Sequence, residues 1–588
     1  MKSIIELIAD ALAAAFEKAG YDRKFAMVTL SNRPDLAEYQ CNGAMAAAKQ
    51  YHKKPIDIAS AVVTEASGNT MFGEIGAVMP GFINIRLSAR FLADYVEELR
   101  GADKFGLNTA ENPETIIVDF GGANVAKPLH VGHLRSAVIG ESVKRICRYM
   151  GHHVISDIHM GDWGLQMGLI ITELQVRKPD LPYFDPDFRG EYPKEAPFTI
   201  SELEDIYPTA SKKAKEDEAF AERAHEATLK LQQGYAPYRA IWKHIMAVSI
   251  PDLRKNYDNL NVSFDLWRGE SDAAPDMEPL IEDLEKKGLA HESDGALVVD
   301  VAEETDTRKI PPCLVRKSDG AALYATSDLA TIVQREREFH PDRYIYVVDK
   351  RQEMHFIQVF RVSKKAGIVK PETKMIFLGF GTMNGKDGGP FKTREGGVMR
   401  LEYLIRDIDD AVEKKIREKN KVPENEIEDT TKKVGLAAIK YGDLSNQATK
   451  DYVFDVDRFT SFEGNTGPHI QYMVVRIRSI LAKYREQFGS LPEAAIRPAE
   501  SATEKGLQLV LTRFAQTVEN AFAETAPHKI CQYMAELADA FNGFYLENNI
   551  LGEKDPERQK AFISLIRLTA DVLDAAMSLI GIEAPEHM

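Results

Sequence analysis

His130 and His133 stand three residues apart with Gly132 between them, and Lys127-Pro128 leads into them. Two imidazoles and an ammonium at this spacing suit the donation of hydrogen bonds and charge to phosphate oxygens. Where a strand runs into a loop and then a helix, free backbone N–H groups and the positive end of the helix dipole face the same anion. Pro128 stiffens the approach, and Gly132 lets the backbone come close to a ligand. The chemistry such a mouth supports is nucleotidyl transfer at an α-phosphate. A carboxylate attacks in line, pyrophosphate leaves, and the protein positions the reactants and stabilises the charge that develops. No side-chain nucleophile is required. The string is neither a G-x-x-x-x-G-K-[ST] phosphate loop nor a G-x-G-x-x-G fingerprint. His-x-x-His alone also fits surface or metal-binding histidines; the Lys-Pro before it and the strand-to-helix setting favour phosphate.

The elements that must hold these residues read as α/β. Ile116-Ile117-Val118-Asp119-Phe120 is a short buried strand, Gly121-Gly122 opens a loop that runs to His133, and Leu134, Val138 and Ile146 face inward on the helix that follows. The next strand is His153-Val154-Ile155-Ser156-Asp157, and together these make a βαβ unit. Further apolar runs at 296–300, 344–348 and 375–378 predict a doubly wound parallel sheet. A charged helical stretch, roughly 201–257, reads as an insertion packed on that sheet. Upstream lies a small α+β unit, whose first helix sets Ile4, Leu7, Ile8, Leu12 and Phe16 on one face. A polar linker spans about 101–113. Beyond about residue 400 strand signals fade, and four amphipathic helices around 470–484, 507–522, 530–544 and 562–580 predict an all-α C-terminal bundle.

The formal net charge is −16. Over the whole surface this opposes nucleic-acid binding, but RNA feels the field within about one Debye length, roughly 8–10 Å, so an acidic chain can still present one basic face. Cys41, Cys147, Cys313 and Cys531 lie far apart with no C-x-x-C pair. That predicts neither a zinc knuckle nor a disulfide framework and fits a reducing cytoplasm. No apolar run approaches the roughly 20 residues of a membrane span. Glu6 and Asp10 break the apolar N-terminus, so no secretory leader is expected.

The string Asn124-Val125-Ala126-Lys127-Pro128-Leu129-His130-Val131-Gly132-His133-Leu134-Arg135-Ser136 resembles the ATP loop of the arginyl-tRNA synthetase family, with His130–His133 similar to the HIGH signature of class I aminoacyl-tRNA synthetases. His159-Met160-Gly161-Asp162-Trp163-Gly164, Phe264-Asp265 with Gly269-Glu270-Ser271, Lys317-Ser318-Asp319-Gly320 and Phe462-Glu463-Gly464-Asn465-Thr466 resemble further blocks of that family, in the same order. The resemblance spans nearly the whole chain. It implies a tRNA-elbow-binding α+β domain at 1–105 and a Rossmann-like catalytic domain at 106–400 with its insertion at about 173–290. A connecting helical segment at 401–455 and an anticodon-binding bundle at 456–588 would follow. It further implies ATP as substrate with Mg²⁺, which enters on the nucleotide rather than in a protein metal site, with L-arginine and tRNA(Arg) as partners. A cytoplasmic monomer that needs tRNA for the first step is expected.

The usual KMSKS loop is absent. Gly385-Lys386-Asp387-Gly388-Gly389-Pro390-Phe391-Lys392-Thr393-Arg394 stands in its place, with Lys392 where the functional lysine would be and Lys127 sharing the pyrophosphate charge. The resemblance assigns His130, His133, Lys127 and Lys392 to catalysis, and Gly132, His159, Gly161 and Asp162 with them to the nucleotide. It assigns Asp119, Asn124, Tyr324, Asp328 and Gln352 to the arginine pocket. Asp328 would hold the guanidinium with Tyr324 packed beside it, Asp119 and Asn124 would orient the α-amino group, and Gln352 would close the pocket. A planar guanidinium asks for such carboxylate partners, and lysine cannot satisfy the same fork. In the bundle, Arg476, Lys483 and Arg485 are expected on tRNA phosphates, while Phe462, Asn465 and Gln471 are expected to stack on or read unstacked bases.

The chain departs from the family at Gly121-Gly122-Ala123 in place of Ser-x-Pro, and at Ser327, His469 and His587. Ala37-Glu38-Tyr39 replaces an N-terminal Gly-Asp-Tyr. Two other readings compete. A small-molecule amide ligase with a similar loop would leave the large bundle unexplained. A non-catalytic tRNA-binding paralogue would be expected to lose His130, His133 or Lys392.

Overall fold

The computed structural model describes residues 1–317, 324–389 and 399–588. At the N-terminus an antiparallel sheet of four short strands runs in the order Val28–Leu30, Tyr39–Cys41, Phe82–Leu87, Phe72–Val78. The first helix, Ile4–Lys18, begins where Ser3 and Glu6 exchange hydrogen bonds as a capping box, and it buries Ile4, Ile8, Leu12 and Phe16.

β1 (Thr115–Asp119) leads through the loop into α1 (Val131–Tyr149), and the chain returns along β2 (His153–Asp157). The insertion contributes α2 (Ile200–Glu216) and α3 (Ala236–Asn259), followed by α4 (Glu270–Lys286). α5 (Tyr324–Phe339), β3 (Arg343–Asp349) and β4 (Lys374–Phe380) complete the layer. The four strands pair in parallel in the order β4-β3-β1-β2. Ile116, Ile117 and Val118 are fully buried, which explains their unbroken apolar run: both faces of a parallel sheet are covered. From β1 the chain winds to one side and from β3 to the other, so a crevice opens at the carboxyl ends between them, where open α/β sheets hold ligands.

The run at 296–300 does not join this sheet. Ala296–Val299 lies in a separate antiparallel sheet between Ala290–Ser293 and Cys313–Arg316. Asp294 and Gly295, with φ of 52° and 78°, form the tight turn before it. Asp-Gly with both residues at positive φ is a hairpin signal, and it outweighs apolar content, which reads alike for a parallel or a hairpin strand.

The C-terminal part contains α6 (Ile427–Leu444) and α7 (Gly467–Phe488). The helix expected at 507–522 is broken: Ala502–Leu511 ends at Thr512, and α8 (Phe514–Ala523) starts afresh. The Thr512 hydroxyl donates to the Leu509 carbonyl and that of Thr517 to the Arg513 carbonyl, local bonds that compete with the helical ladder. α9 (His528–Glu547) and α10 (Pro556–Leu579) complete the bundle.

The bundle is bonded to the back of α1. The Ser142 hydroxyl donates to the Leu579 carbonyl (2.9 Å) and Arg145 to the Ser578 carbonyl (3.0 Å). Lys440 of α6 donates to the carbonyls of Asn261 and Gly581, both at 3.2 Å. One continuous apolar core joins the N-terminal unit, α1 and the bundle, and a second lies behind β3. Among the described residues no helix is long and apolar enough to cross a membrane.

Candidate active site

His130 is the N-cap of α1. Its Nδ1 accepts from the Gly132 N–H (3.0 Å), and the Nδ1 of His133 accepts from the His130 N–H (3.1 Å). Because both Nδ1 atoms accept, the ring protons sit on Nε2, and each imidazole keeps one free donor. The two rings lie 4.0 Å apart. Burial and the Lys127 charge lower the His130 pKa; burial, His130 and Lys127 push His133 down to about 3. Both are therefore neutral donors at pH 7 and not cations. A Cβ on Gly132 would stand 2.7 Å from the His130 ring, so only glycine lets that ring fold over the helix start.

Ala126 adopts φ 59°, a left-handed conformation that costs a residue with a side chain free energy. Its N–H is held by the buried hydroxyl of Ser249 on α3 (3.0 Å). Lys127 places its ammonium 4.3 Å from the Tyr207 ring on α2. Downstream, the Val131 N–H donates to the Met399 carbonyl (3.1 Å) and the Leu401 N–H to the Leu129 carbonyl (2.9 Å). The histidine loop is thus sewn to the chain at 399–401. Lys392 lies outside the described residues, as do Ser318, Asp319 and Gly320. Before it, Lys386 pairs with Asp455 (3.1 Å).

At the end of β1, Asp119, expected from the sequence to orient an α-amino group, already has a partner within the chain. It lies 2.6 Å from Arg335, which also holds Asp157 at the end of β2 (2.8 Å); all three are buried. Burial works against the Asp157 charge, yet Arg335 and His159 hold its pKa below the usual carboxylate range. Asn124 forms a backbone bridge with Gly161. The Gly161 N–H donates to the Ala123 carbonyl and the Val125 N–H to the Gly161 carbonyl. A Cβ on Gly161 would come within 2.2 Å of the Asn124 Oδ1. The glycine makes room for Asn124, whereas the sequence suggested that it makes room for the nucleotide. Asp162 is likewise turned to a structural partner: buried, it accepts from the Ser271 N–H (2.9 Å) and hydroxyl (2.5 Å), clamping the start of α4.

That clamp delivers Glu270 to the crevice. Its carboxyl is pushed up to about 7, first by burial and then by Asp162 and Asp328, against the opposing pull of His159. Asp328 on α5 meets the His355 Nε2 at 2.5 Å, and the His159 Nε2 lies 3.9 Å from its other oxygen. His159 adopts φ 42°, and both its ring nitrogens are buried without a hydrogen-bond partner. Tyr324 begins α5 with three quarters of its surface exposed, so it does not pack against Asp328 as expected. Gln352, also exposed, closes the short 3-10 turn after β3. Glu270 and His355 were missed by the sequence reading. Gly269-Glu270-Ser271 stood out as a block but reads as an ordinary helix start, and a lone histidine after β3 carries no local signal. Among the described residues no group of three or more His, Cys, Asp or Glu stands together as a metal cage.

A family model for the catalytic domain of class I tRNA synthetases (R) matches residues 97–456. Models for the arginyl tRNA synthetase N terminal domain and the DALR anticodon binding domain match residues 2–87 and 470–588. The chain is 58% identical to the arginine–tRNA ligase of Agathobacter rectalis, covering all of both chains. It belongs to the arginyl-tRNA synthetase family. The arginine–tRNA ligase of Alkaliphilus oremlandii is 54% identical over the same full span. The crystal structure of Plasmodium falciparum arginyl-tRNA synthetase superposes with a TM-score of 0.80 at 25% identity, covering 100% of this chain and 99% of that one. Thermus thermophilus arginyl-tRNA synthetase shares the fold at 0.77 and 21%, with both chains fully covered.

The bundle of this arginyl-tRNA synthetase presents a polar face on one helix. Arg476 lies between the rings of Tyr472 (4.8 Å) and Tyr545 (4.9 Å) and donates to the Asn542 Oδ1 (3.0 Å). Lys483 and Arg485 are exposed on the same helix, α7. Lys419 covers the Phe462 ring at 3.8 Å. Asn465 is exposed and accepts from the Tyr441 hydroxyl. Gln471 corrects an expectation: it is fully buried and donates to the carbonyls of Lys433 and Glu583, so it braces the end of the chain and cannot read a base.

Proposed function

We propose that this chain ligates arginine to tRNA in two steps. The carboxylate of arginine attacks the α-phosphorus of ATP; the bond to the bridging oxygen breaks, pyrophosphate leaves, and arginyl-adenylate forms. A ribose hydroxyl at the 3′ end of tRNA then attacks the arginyl carbonyl and AMP departs. The observation that carries this reading is the pairing of Glu270 and Asp328 beside the histidine mouth of α1. Glu270, whose carboxyl Asp162 and Asp328 help to raise, and Asp328 offer two carboxyl groups to the planar N–H fork of a guanidinium, and the arriving cation would favour the ionised form of Glu270.

In this reading Tyr324 closes on the guanidinium from its open position, Gln352 covers the pocket, and Asn124 with the Asp119–Arg335–Asp157 triad orients the α-amino group. His130 and His133 donate from Nε2 to the phosphates at the start of the helix. Lys127, once released from Tyr207, and Lys392 share the charge of the leaving pyrophosphate. His159 and its neighbours line the adenosine side, with Gly161 and Asp162 acting as supports. Mg²⁺ would enter with the ATP phosphates and neutralise charge there. Arg476, Lys483 and Arg485 meet tRNA phosphates. The divisions at 1–105, 106–400, 401–455 and 456–588, a monomeric state and a cytoplasmic setting belong to the same proposal.

ATP–pyrophosphate exchange with each amino acid, with and without tRNA, tests it. Exchange with arginine that depends on tRNA is expected. Exchange with lysine instead, or none with tRNA present, would refute it.

A further inference from the structure

Lys127 leaves its loop in a direction that Ala126 sets. Pro128 fixes its own φ and confines the residue before it to extended backbone, so Lys127 and Pro128 form a stiff pair. The pair is aimed by the residue ahead of it, Ala126, whose φ of 59° lies in the left-handed region. A residue with a side chain is disfavoured there by about five- to thirtyfold, so something must hold it. Two helices do so, from opposite ends of the Val125–Ala126 peptide. The N–H donates to the Ser249 hydroxyl on α3 (3.0 Å), 123 positions along the chain, and the carbonyl accepts from the side-chain amide of Gln166 on the helix Leu165–Arg177. Turning the peptide over would return Ala126 to negative φ and break both bonds. Ala126 and Ser249 are each 1% exposed, so the N–H depends on a partner within the chain.

The insertion that supplies Ser249 reaches the site elsewhere too. Its Tyr207 ring lies 4.3 Å from the Lys127 ammonium, and its Trp242 Nε1–H donates to the Asp162 carbonyl (2.9 Å). Glu204, on the same helix as Tyr207, pairs with Arg400 (2.7 Å), next to the Leu401 N–H that bonds Leu129. One inserted unit thus grips both loops of the crevice and the chain at 400. We propose that Ser249 and Gln166 are positioning residues for ATP, which hold the Val125–Ala126 peptide turned and so direct Lys127 to the phosphates. Both act through the backbone of the loop. Their role rests on the proposed activation reaction, in which Lys127 shares the charge of the leaving pyrophosphate.

ATP–pyrophosphate exchange by the full chain, with tRNA and arginine present, tests this in the wild type, in Ser249→Ala, and in Ser249→Ala combined with Ala126→Gly. Without the hydroxyl, the turned peptide keeps a buried N–H unpaired, and kcat/KM for ATP should fall about tenfold or more while KM for arginine holds. Glycine takes positive φ without the side-chain penalty, so Ala126→Gly should win back about fivefold or more of that loss. A serine that only fills space predicts no such recovery, because glycine then adds nothing but freedom to the loop. Should Ser249→Ala not fold, Gln166→Met, at a half-buried position, carries the same comparison. An unchanged kcat/KM for ATP overturns the proposal, and so does a fall that Ala126→Gly leaves in place. Failure of the activation reading is separate: it shows as no arginine exchange by the wild type. ATP affinity by titration calorimetry then replaces kcat/KM, and the same loss and recovery across the variants decide the role of Ser249.

Discussion

A single guanidinium nitrogen of Arg335 lies 2.6 Å from Asp119 and 2.8 Å from Asp157. It ties the ends of β1 and β2 together from below the crevice, with the Tyr346 hydroxyl 3.3 Å from its neighbour nitrogen. Arg335→Leu would strand two buried carboxylates side by side. Removing one partner of a buried ion pair costs about 3–5 kcal/mol, so the unfolding free energy from urea titration at pH 7 should fall by that amount. A loss below about 1 kcal/mol would show that the triad does not hold the strand ends.

Glu270 makes arginine binding depend on pH. Its carboxyl is raised to about 7 by burial and by the neighbouring carboxylates Asp162 and Asp328. The guanidinium stays charged at every pH tested and binds the ionised carboxylate. Affinity is therefore full above about pH 8 and falls up to tenfold per unit as pH drops below about 7. The KM for arginine in the exchange assay should follow this course. Glu270→Gln should flatten it while raising KM at high pH. A wild-type KM constant from about pH 6 to 8 would remove Glu270 from the pocket.

Gly161→Ala probes Asn124 from behind. The new Cβ would press within 2.2 Å of the Asn124 Oδ1, and the side chain must move. A misplacement of about 1 Å at a reacting centre can cost about a hundredfold, so kcat/KM for arginine should fall by that order while the melting temperature changes little. Unchanged kcat/KM would mean that Asn124 does not orient the substrate.

His130 and His133 should act without titrating. Burial and the nearby Lys127 charge lower both pKa values, His133 to about 3, so both rings are neutral at pH 7. Replacing either by alanine removes one donor aimed at developing charge, and the exchange rate should fall about 10²–10³-fold. The pH profile of kcat above about 6 should contain no step that these variants abolish. A wild-type inflection near neutrality that His130→Ala removes would mean that the imidazole works as an acid or base.

What was legible in the sequence was what is local. His130, Gly132 and His133 cap one helix, and their spacing sets their geometry. The run 116–119 announced a buried parallel strand by its unbroken apolar side chains. Asp119 and Asn124 were readable only as neighbours of the loop, without the partners that hold them. The rest depends on distant segments meeting. Arg335 neutralises Asp119 from another helix, Glu270 enters the crevice because Asp162 grips Ser271, and Gln471 turns inward to brace Glu583. None of these leaves a periodic or compositional trace. The strand at 296–299 differs: its apolar content reads alike for a parallel or a hairpin strand, and only the Asp294-Gly295 turn marks the hairpin.

The bond from Ser142 to the Leu579 carbonyl joins residues 437 positions apart. At about 5–20 residues per second, a ribosome needs roughly 20–90 s to cover that distance. Throughout that interval the helix bearing His130 and His133 has emerged, while its rear support has not been synthesised. A nascent chain, or one cut short by a late stop codon, therefore carries the histidine motif without the scaffold that fixes its helix. Competence to handle ATP should arrive only after Leu579 has left the exit tunnel.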